Sequence, residues 1–339
     1  MSGLFSSPLR FEPIFKEKIW GGHALREKLN KNAPAGRTVG ESWEVSGWGD
    51  SQTVVSAGNY TGLTLGELFA LSPSDLVGSG GGEGSAGFPL LFKFIDAREN
   101  LSIQVHPNSE QARARGWGER GKTEAWYVVD AEPGAKIALG FKRGGVTRNE
   151  AANAVRAGRL NKLMNFVPAK RGDAFFIPAG TVHAIMGGVL IYEVQEESNT
   201  TLRLYDWNRM CVTGNLRALH IDDALAIIKL DESRPLKPEP VLVDKNDAFI
   251  CELLCSSAKF AIGRYKFFKP GGAKLSTIGG FRVVTVTEGV AEVCAGGPGG
   301  ASSVVPLGLG QTVLIPSGLT GVEIMGVAGT EVLVTTRDG

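Results

Sequence analysis

Apolar residues in this chain fall into short runs, some alternating with polar positions and some continuous, bounded by glycine, proline and charged residues. The clearest runs occupy 90–95, 101–106, 125–129, 174–177, 189–194, 281–286, 312–315 and 331–334. Runs this short, rich in Val, Ile and Phe, predict strands, because an amphipathic helix needs its own period sustained over about ten residues or more. Helix starts are few but well marked. Thr64 with Glu67, and Thr147 with Glu150, have the spacing of a capping box, in which hydroxyl and carboxylate each accept from the other residue's backbone N–H. They predict helical insertions at about 60–80 and 145–167 around the central strands. Further helices are expected over 108–114 and over 221–230, the latter burying Ala224, Leu225 and Ile228. The segment 233–240 carries Pro235, Pro238 and Pro240, which can neither continue a helix nor join a central strand. It is read as a linker between a unit at 1–232 and a unit at 241–339.

The stretch GDAFFIPAG at 172–180 returns as GQTVLIPSG at 310–318, 138 residues later. Turn, strand, proline and glycine recur in register, so the two units are expected to share a barrel plan. Carried forward, the offset sets His183 against Gly321. The second copy keeps the scaffold without the imidazole, and any chemistry is expected in the first.

Composition narrows the picture. Glycine accounts for 46 of 339 residues, about twice its usual share, as suits many short strands joined by tight turns. Lys plus Arg number 36 against 35 Asp plus Glu, and a net charge of +1 offers no broad basic field for nucleic acid. Four cysteines, Cys211, Cys251, Cys255 and Cys294, are too few for a disulfide framework, which fits a reducing cytoplasm. Neither a signal peptide nor a membrane span is expected, since charged residues interrupt the N-terminal apolar positions and every later run.

The sharpest chemical signal is at 102–107, where strand alternation puts Gln104 and His106 on one face and Ile103 and Val105 on the other. Glu124 opens a later strand, next to Lys122, and His183 follows another. Imidazole, carboxylate, imidazole and an amide oxygen make a set suited to Zn²⁺ with a position left open. The competing reading is a satisfied core histidine and a surface carboxylate. Two phosphate-binding patterns are set aside. Residues 116–123 match G-x-x-x-x-G-K-[ST], but that loop needs a strand before it and a helix after it, and here a strand follows. Residues 82–87 match G-x-G-x-x-G, again with a strand following. The segment 192–209 is dense in charge: Glu193 and Gln195 share one face, and Arg203 and Tyr205 share a face of the next run. His23 and His220 lack such company and read as capping or exposed histidines.

Six motifs together carry a resemblance: FKEKIWGG at 15–22, GESWEVSG at 40–47, QVHP at 104–107, GKTE at 121–124, IPAGTVH at 177–183 and RLYDWNR at 203–209. In this order, over roughly 10–230, they resemble the short bacterial form of type I mannose-6-phosphate isomerase. The resemblance implies a mainly β chain of two cupin-like jelly-roll barrels, the second degenerate and the first carrying the helical insertions. It also implies one Zn²⁺ per chain, with Gln104, His106, Glu124 and His183 as ligands, and it places Arg203, Lys122 and Glu193 in the pocket as catalytic residues. Asn108, Asn199, Leu202 and Asn208 depart from the residues usual at those positions.

The implied reaction interconverts mannose 6-phosphate and fructose 6-phosphate through an enediol. Its oxygens gain negative charge, which Zn²⁺ and Arg203 can offset. Glu193 is the expected base, with a zinc-bound water or Lys122 as rivals, and Lys122 or Arg203 can meet the phosphate. An alternative from another class is a non-catalytic cupin that senses a sugar phosphate. The expected partner is thus a small sugar phosphate, with no nucleic acid and no membrane; nothing in the sequence identifies a protein partner.

Overall fold

The computed structural model describes residues 4–78, 87–142, 145–210, 214–230, 236–276, 279–296 and 302–337. Cys211, residues 82–86 of the second glycine-rich pattern and residues 233–235 of the proline-rich segment lie outside them. The fold is mainly β, built from antiparallel sheets on the cupin-like plan. In the first barrel a six-stranded sheet runs in the order Ala174–Ile177, Glu124–Ala131, Val189–Glu196, Leu90–Ala97, Val39–Val45, Ile14–Gly22. A five-stranded sheet runs Met164–Pro168, Lys136–Phe141, His183–Ile185, Ile103–Val105, Leu202–Tyr205. The two share a core in which Ile95, Trp126 and Ile191 of the first meet Ile137, Leu139 and Ile185 of the second.

The other face of the six-stranded sheet is buried as well. Phe92, Phe94, Tyr127 and Tyr192 pack there with Phe281, Val283, Leu314 and Leu333 from the C-terminal part of the chain. A strand covered on both faces needs apolar residues at every position, which is why Leu90–Ala97 reads as a near-continuous hydrophobic run. Lys93 and Asp96 are the exceptions: Lys93 faces the site described below, and Asp96 accepts from the Ala24 backbone N–H.

The second barrel pairs an eight-stranded sheet with a four-stranded one. Its interior is apolar, with Val284, Val286 and Val313 packed against Val293, Val322 and Ile324. The eight-stranded sheet takes in two strands from the other end of the chain. Leu9–Glu12 pairs with Thr312–Ile315, setting Leu9 against Leu314, and with Val54–Val55 on its other side. The expected linker at 233–240 therefore does not separate the sheets, because an N-terminal strand satisfies its backbone in the C-terminal one.

The predicted capping boxes at Thr64 and Thr147 both form and open the helices Leu65–Leu71 and Arg148–Arg156. Asn108 caps Ser109–Ala114 in the same way, with Gln111 as its partner. The second insertion is helical over less than the expected 145–167, since Met164–Pro168 is the outer strand of the five-stranded sheet. The helix expected at 221–230 spans Ile221–Ile227 and buries Ala224, Leu225 and Ile227, with Ile228 buried just beyond it. Around residues 116–123 a helix precedes and a strand follows, the reverse of a phosphate loop. Gly121 has a different use there. A Cβ on it would lie 2.6 Å from the backbone of Asn108, so only glycine lets the chain pass the helix start and carry Lys122 and Glu124 inward.

Candidate metal and substrate site

Sheet register assembles the site. His183 and Arg203 both lie across from Gln104 in the five-stranded sheet, while Gln195 lies across from Glu124, and Glu193 across from Lys93 and Trp126, in the six-stranded sheet. Residues 59 to 79 positions apart in the chain, such as Glu124 and His183 or Gln104 and His183, are thereby brought within contact.

His106, Glu124 and His183 are all buried, and one ligand atom from each lies within 4.8 Å of the others. His106 Nδ1 is 2.8 Å from the Thr200 carbonyl and His183 Nδ1 is 2.9 Å from the Thr181 carbonyl. A carbonyl only accepts, so each Nδ1 carries the hydrogen and each Nε2 keeps a lone pair. These lone pairs point at a carboxylate: His183 Nε2 is 3.2 Å from Glu124 Oε1 and His106 Nε2 is 3.5 Å from Glu124 Oε2. Glu124 Oε1 is buried and accepts no hydrogen bond from the described residues. Lys122 already meets Glu124 Oε2 and His106 Nε2, which leaves Glu124 Oε1 as the buried acceptor without a donor, and the side chains around it fit a divalent metal with nitrogen and oxygen ligands. The cluster is therefore able to hold a metal ion.

Its electrostatics agree. Burial, and then the Lys122 ammonium, holds the His106 pKa well below its ordinary value, so the imidazole stays neutral. Burial opposes ionisation of Glu124, but the adjacent Lys122 ammonium outweighs it and holds the carboxyl well below the usual range. Lys122 Nζ donates to Glu124 Oε2 and sits 3.1 Å from His106 Nε2. Gln104 reaches His183 Nε2 at 3.3 Å through its amide nitrogen, while its oxygen meets Ser102 Oγ. In this orientation Gln104 offers no lone pair to the cluster, and turning the amide over would offer one.

Beside the cluster a cavity opens between the sheets, lined by ionic groups from both. Glu193 Oε1 is 3.0 Å from Lys93 and 3.7 Å from Lys122, and Trp126 Nε1 donates to Glu193 Oε2 at 2.9 Å. Glu41 lies 3.1 Å from Lys18 and accepts from Trp43 Nε1 at 2.7 Å. Burial alone would raise the Glu41 pKa, but Lys93, Lys18 and the indole bring it down to about 2. Arg203 lines the same cavity, its Nε buried without a hydrogen-bond partner among the described residues. Burial, and then the nearby Arg217, lowers its pKa.

All seven expected site residues meet around this space. Gln104, Lys122, His183, Glu193 and Arg203 line the cavity, while His106 and Glu124 complete the cluster at its wall. Several polar participants were not expected. Lys93 was visible as a lysine in an apolar strand, and Glu41 as an acid inside GESWEVSG; neither had a legible partner. Lys18 and Arg217 carried no signal. His220, read as a capping or exposed residue, has a further part: its Nδ1 accepts from the Arg203 backbone N–H at 3.1 Å, and its own N–H donates to the Arg203 carbonyl.

Residues 9–140 match the family model described as phosphomannose isomerase type I, catalytic domain. The chain is 37% identical over 325 residues to the mannose-6-phosphate isomerase ManA of Bacillus subtilis strain 168, covering 95% of this chain and 97% of that protein. It is 35% identical over 291 residues to a mannose-6-phosphate isomerase of Streptococcus mutans, covering 86% of this chain and 88% of that one. Among solved structures, the mannose 6-phosphate isomerase from Bacillus subtilis superposes with a TM-score of 0.86 at 28% identity, covering 97% of this chain and 99% of that chain.

Proposed function

Given that this chain belongs to the type I phosphomannose isomerase family and is a mannose-6-phosphate isomerase, we propose that it interconverts mannose 6-phosphate and fructose 6-phosphate through an enediol, with one Zn²⁺ held by His106, Glu124 and His183. The observation that carries the reading is the convergence of two buried imidazoles and a buried carboxylate beside a cavity rich in cations. When bound there, the metal supplies Lewis-acid polarisation of the sugar oxygens at C1 and C2. Gln104 is a fourth ligand after its amide turns over.

The chain's own groups supply the rest. Glu193 is fixed by Lys93 and the Trp126 indole, with its carboxylate in the cavity, and we assign it the proton transfer between C2 and C1. Lys93 and Lys122 flank that carboxylate at 3.0 and 3.7 Å. Arg203 presents a planar guanidinium for oxygens that gain charge in the transition state. The buried Trp126 restricts water on one side of the reacting carbons. We also propose the first barrel with its insertions as the catalytic unit and the second as its support, working in the cytoplasm, where thiols such as Cys251 and Cys294 stay reduced.

A coupled assay with mannose 6-phosphate, run on metal-loaded and chelator-treated protein, tests the whole reading. Turnover that depends on one Zn²⁺ per chain supports it. Tight binding of the sugar phosphate with no turnover under any metal would leave a sensor in its place.

A further inference from the structure

Arg203 stands on Leu202–Tyr205, the edge strand of the five-stranded sheet, so only one side of its backbone meets a neighbouring strand. On that side it lies across from Gln104, and the register slips before Tyr205 meets Ile103. A slip of this kind leaves the ladder irregular just beyond Arg203. On the open side His220 meets both of its backbone groups. The His220 N–H donates to the Arg203 carbonyl at 2.8 Å, and His220 Nδ1 accepts from the Arg203 N–H at 3.1 Å. A neighbouring strand would present an N–H and a carbonyl at this place; the histidine presents an N–H and a ring nitrogen. The Arg203 side chain has no comparable hold. It makes no ion pair among the described residues and its buried Nε no hydrogen bond, so its aim into the cavity depends on the backbone from which it starts.

A backbone N–H only donates, which fixes the form of its partner. Nδ1 accepts from Arg203 only while it carries no hydrogen, so the ring proton is on Nε2 and the imidazole is neutral. An imidazolium would turn a second N–H toward the first and open the clamp. The surroundings favour the neutral ring: burial, and then the Arg203 guanidinium of the facing strand, lower the His220 pKa, while Asp223 on the helix that His220 opens acts the other way. Asp223 is itself paired with Arg115 at 2.8 Å. Resting on the role assigned to Arg203 above, we propose that His220 is a positioning residue for the reaction, which as a neutral imidazole holds the Arg203 backbone and so aims the guanidinium at the oxygens that gain charge.

The test compares His220→Ala and His220→Asn with the wild type, with zinc content and melting midpoint measured on each. Asparagine can set its side-chain oxygen near the place of Nδ1, and it does not titrate. In His220→Ala, kcat for mannose 6-phosphate should fall about 10- to 100-fold, with KM within about threefold and zinc content unchanged, as expected when a group that acts in the transition state is misplaced by about 1 Å. His220→Asn should recover most of kcat. The ratio of wild-type to His220→Asn kcat should also fall as the pH drops toward about 5, because only the histidine takes up a proton. Hydrogen exchange at the Arg203 amide should be about 10-fold faster or more in His220→Ala than in wild type. Unchanged kcat in His220→Ala overturns the proposal, and so does a loss confined to KM or to bound zinc. A His220→Asn variant as slow as His220→Ala, with its Arg203 amide still protected, overturns it as well. Should the wild type fail to turn over mannose 6-phosphate, the functional reading fails by itself. The clamp is then tested separately by the ring ¹⁵N shifts of His220 in the wild type at pH 7, where a hydrogen on Nδ1 counts against it.

Discussion

The two barrels use one backbone plan for opposite ends. In the first, Ala174–Ile177 pairs with Glu124–Ala131 so that Glu124 lies across from Ile177; in the second, Thr312–Ile315 pairs with Arg282–Glu288 so that Arg282 lies across from Ile315. The register repeats, yet the buried carboxylate of the cluster in one copy becomes an arginine in the other. Three residues past the shared proline and glycine, His183 gives way to Gly321, which takes a φ of +58° with open space where a side chain would be. The first interior then holds imidazoles, lysines and carboxylates, whereas Val284, Val286, Val293 and Ile324 fill the second. A buried charge is costly unless paired, and an apolar side chain of the same volume is not. The difference teaches that the barrel frame tolerates either filling. The second copy backs the six-stranded sheet of the first through Phe281, Val283 and Leu333.

The strongest way to break the contrast is to make the first barrel resemble the second. His183→Ala removes a ligand from the cluster, and both bound Zn²⁺ and turnover should be lost, the latter by about 10³-fold or more, as expected where a cation supplies several kcal/mol to the transition state. Full activity in a metal-free variant would falsify the metal reading. The converse change is Ile324→Ala in the second interior, which should cost about 2–5 kcal/mol of unfolding free energy while kcat at 25 °C is preserved. A large kcat loss there, at full folding and metal content, would show the second barrel taking part in the reaction.

Acid should reach the first barrel through Glu41. Its carboxyl is brought down to about 2 in the folded chain from an ordinary value of 4.5, so the unfolded chain takes up the proton first as pH falls. The stability it contributes, on the order of 3 kcal/mol, is present above about pH 4.5 and is lost progressively toward pH 2. Urea midpoints at pH 7, 4.5 and 3 should therefore show a shallower slope for Glu41→Gln than for wild type; parallel slopes would remove Glu41 from this role. Smaller still is the expected effect of Arg203→Lys, about 10²-fold in kcat with zinc content unchanged. A rise in KM at constant kcat would make Arg203 a substrate-binding group instead of one that offsets charge in the transition state. Last, ATP should show no calorimetric binding despite the pattern at 116–123, because that segment enters a strand.

What the sequence determined by itself is what neighbours in the chain can carry. The strands at 174–177 and 312–315, the capping boxes at Thr64 and Thr147, and the repeat that singled out His183 all depend on residues a few positions apart, where period and hydrogen-bonding geometry are local. The grouping of His106, Glu124 and His183 was legible because imidazoles and a carboxylate in inward-facing strand positions have few other uses, and the family resemblance met the same residues. Tertiary structure alone decided which ion pairs form. Glu41 with Lys93, Lys93 with Glu193, and Leu9–Glu12 with Thr312–Ile315 join segments far apart in the chain, and no local pattern records which strands become neighbours. It also decided that His220 holds the Arg203 backbone and that Asp206 balances only part of the positive charge around it. Pairing energy between charges depends on distance and burial, and both exist only once the sheets have closed over the cavity.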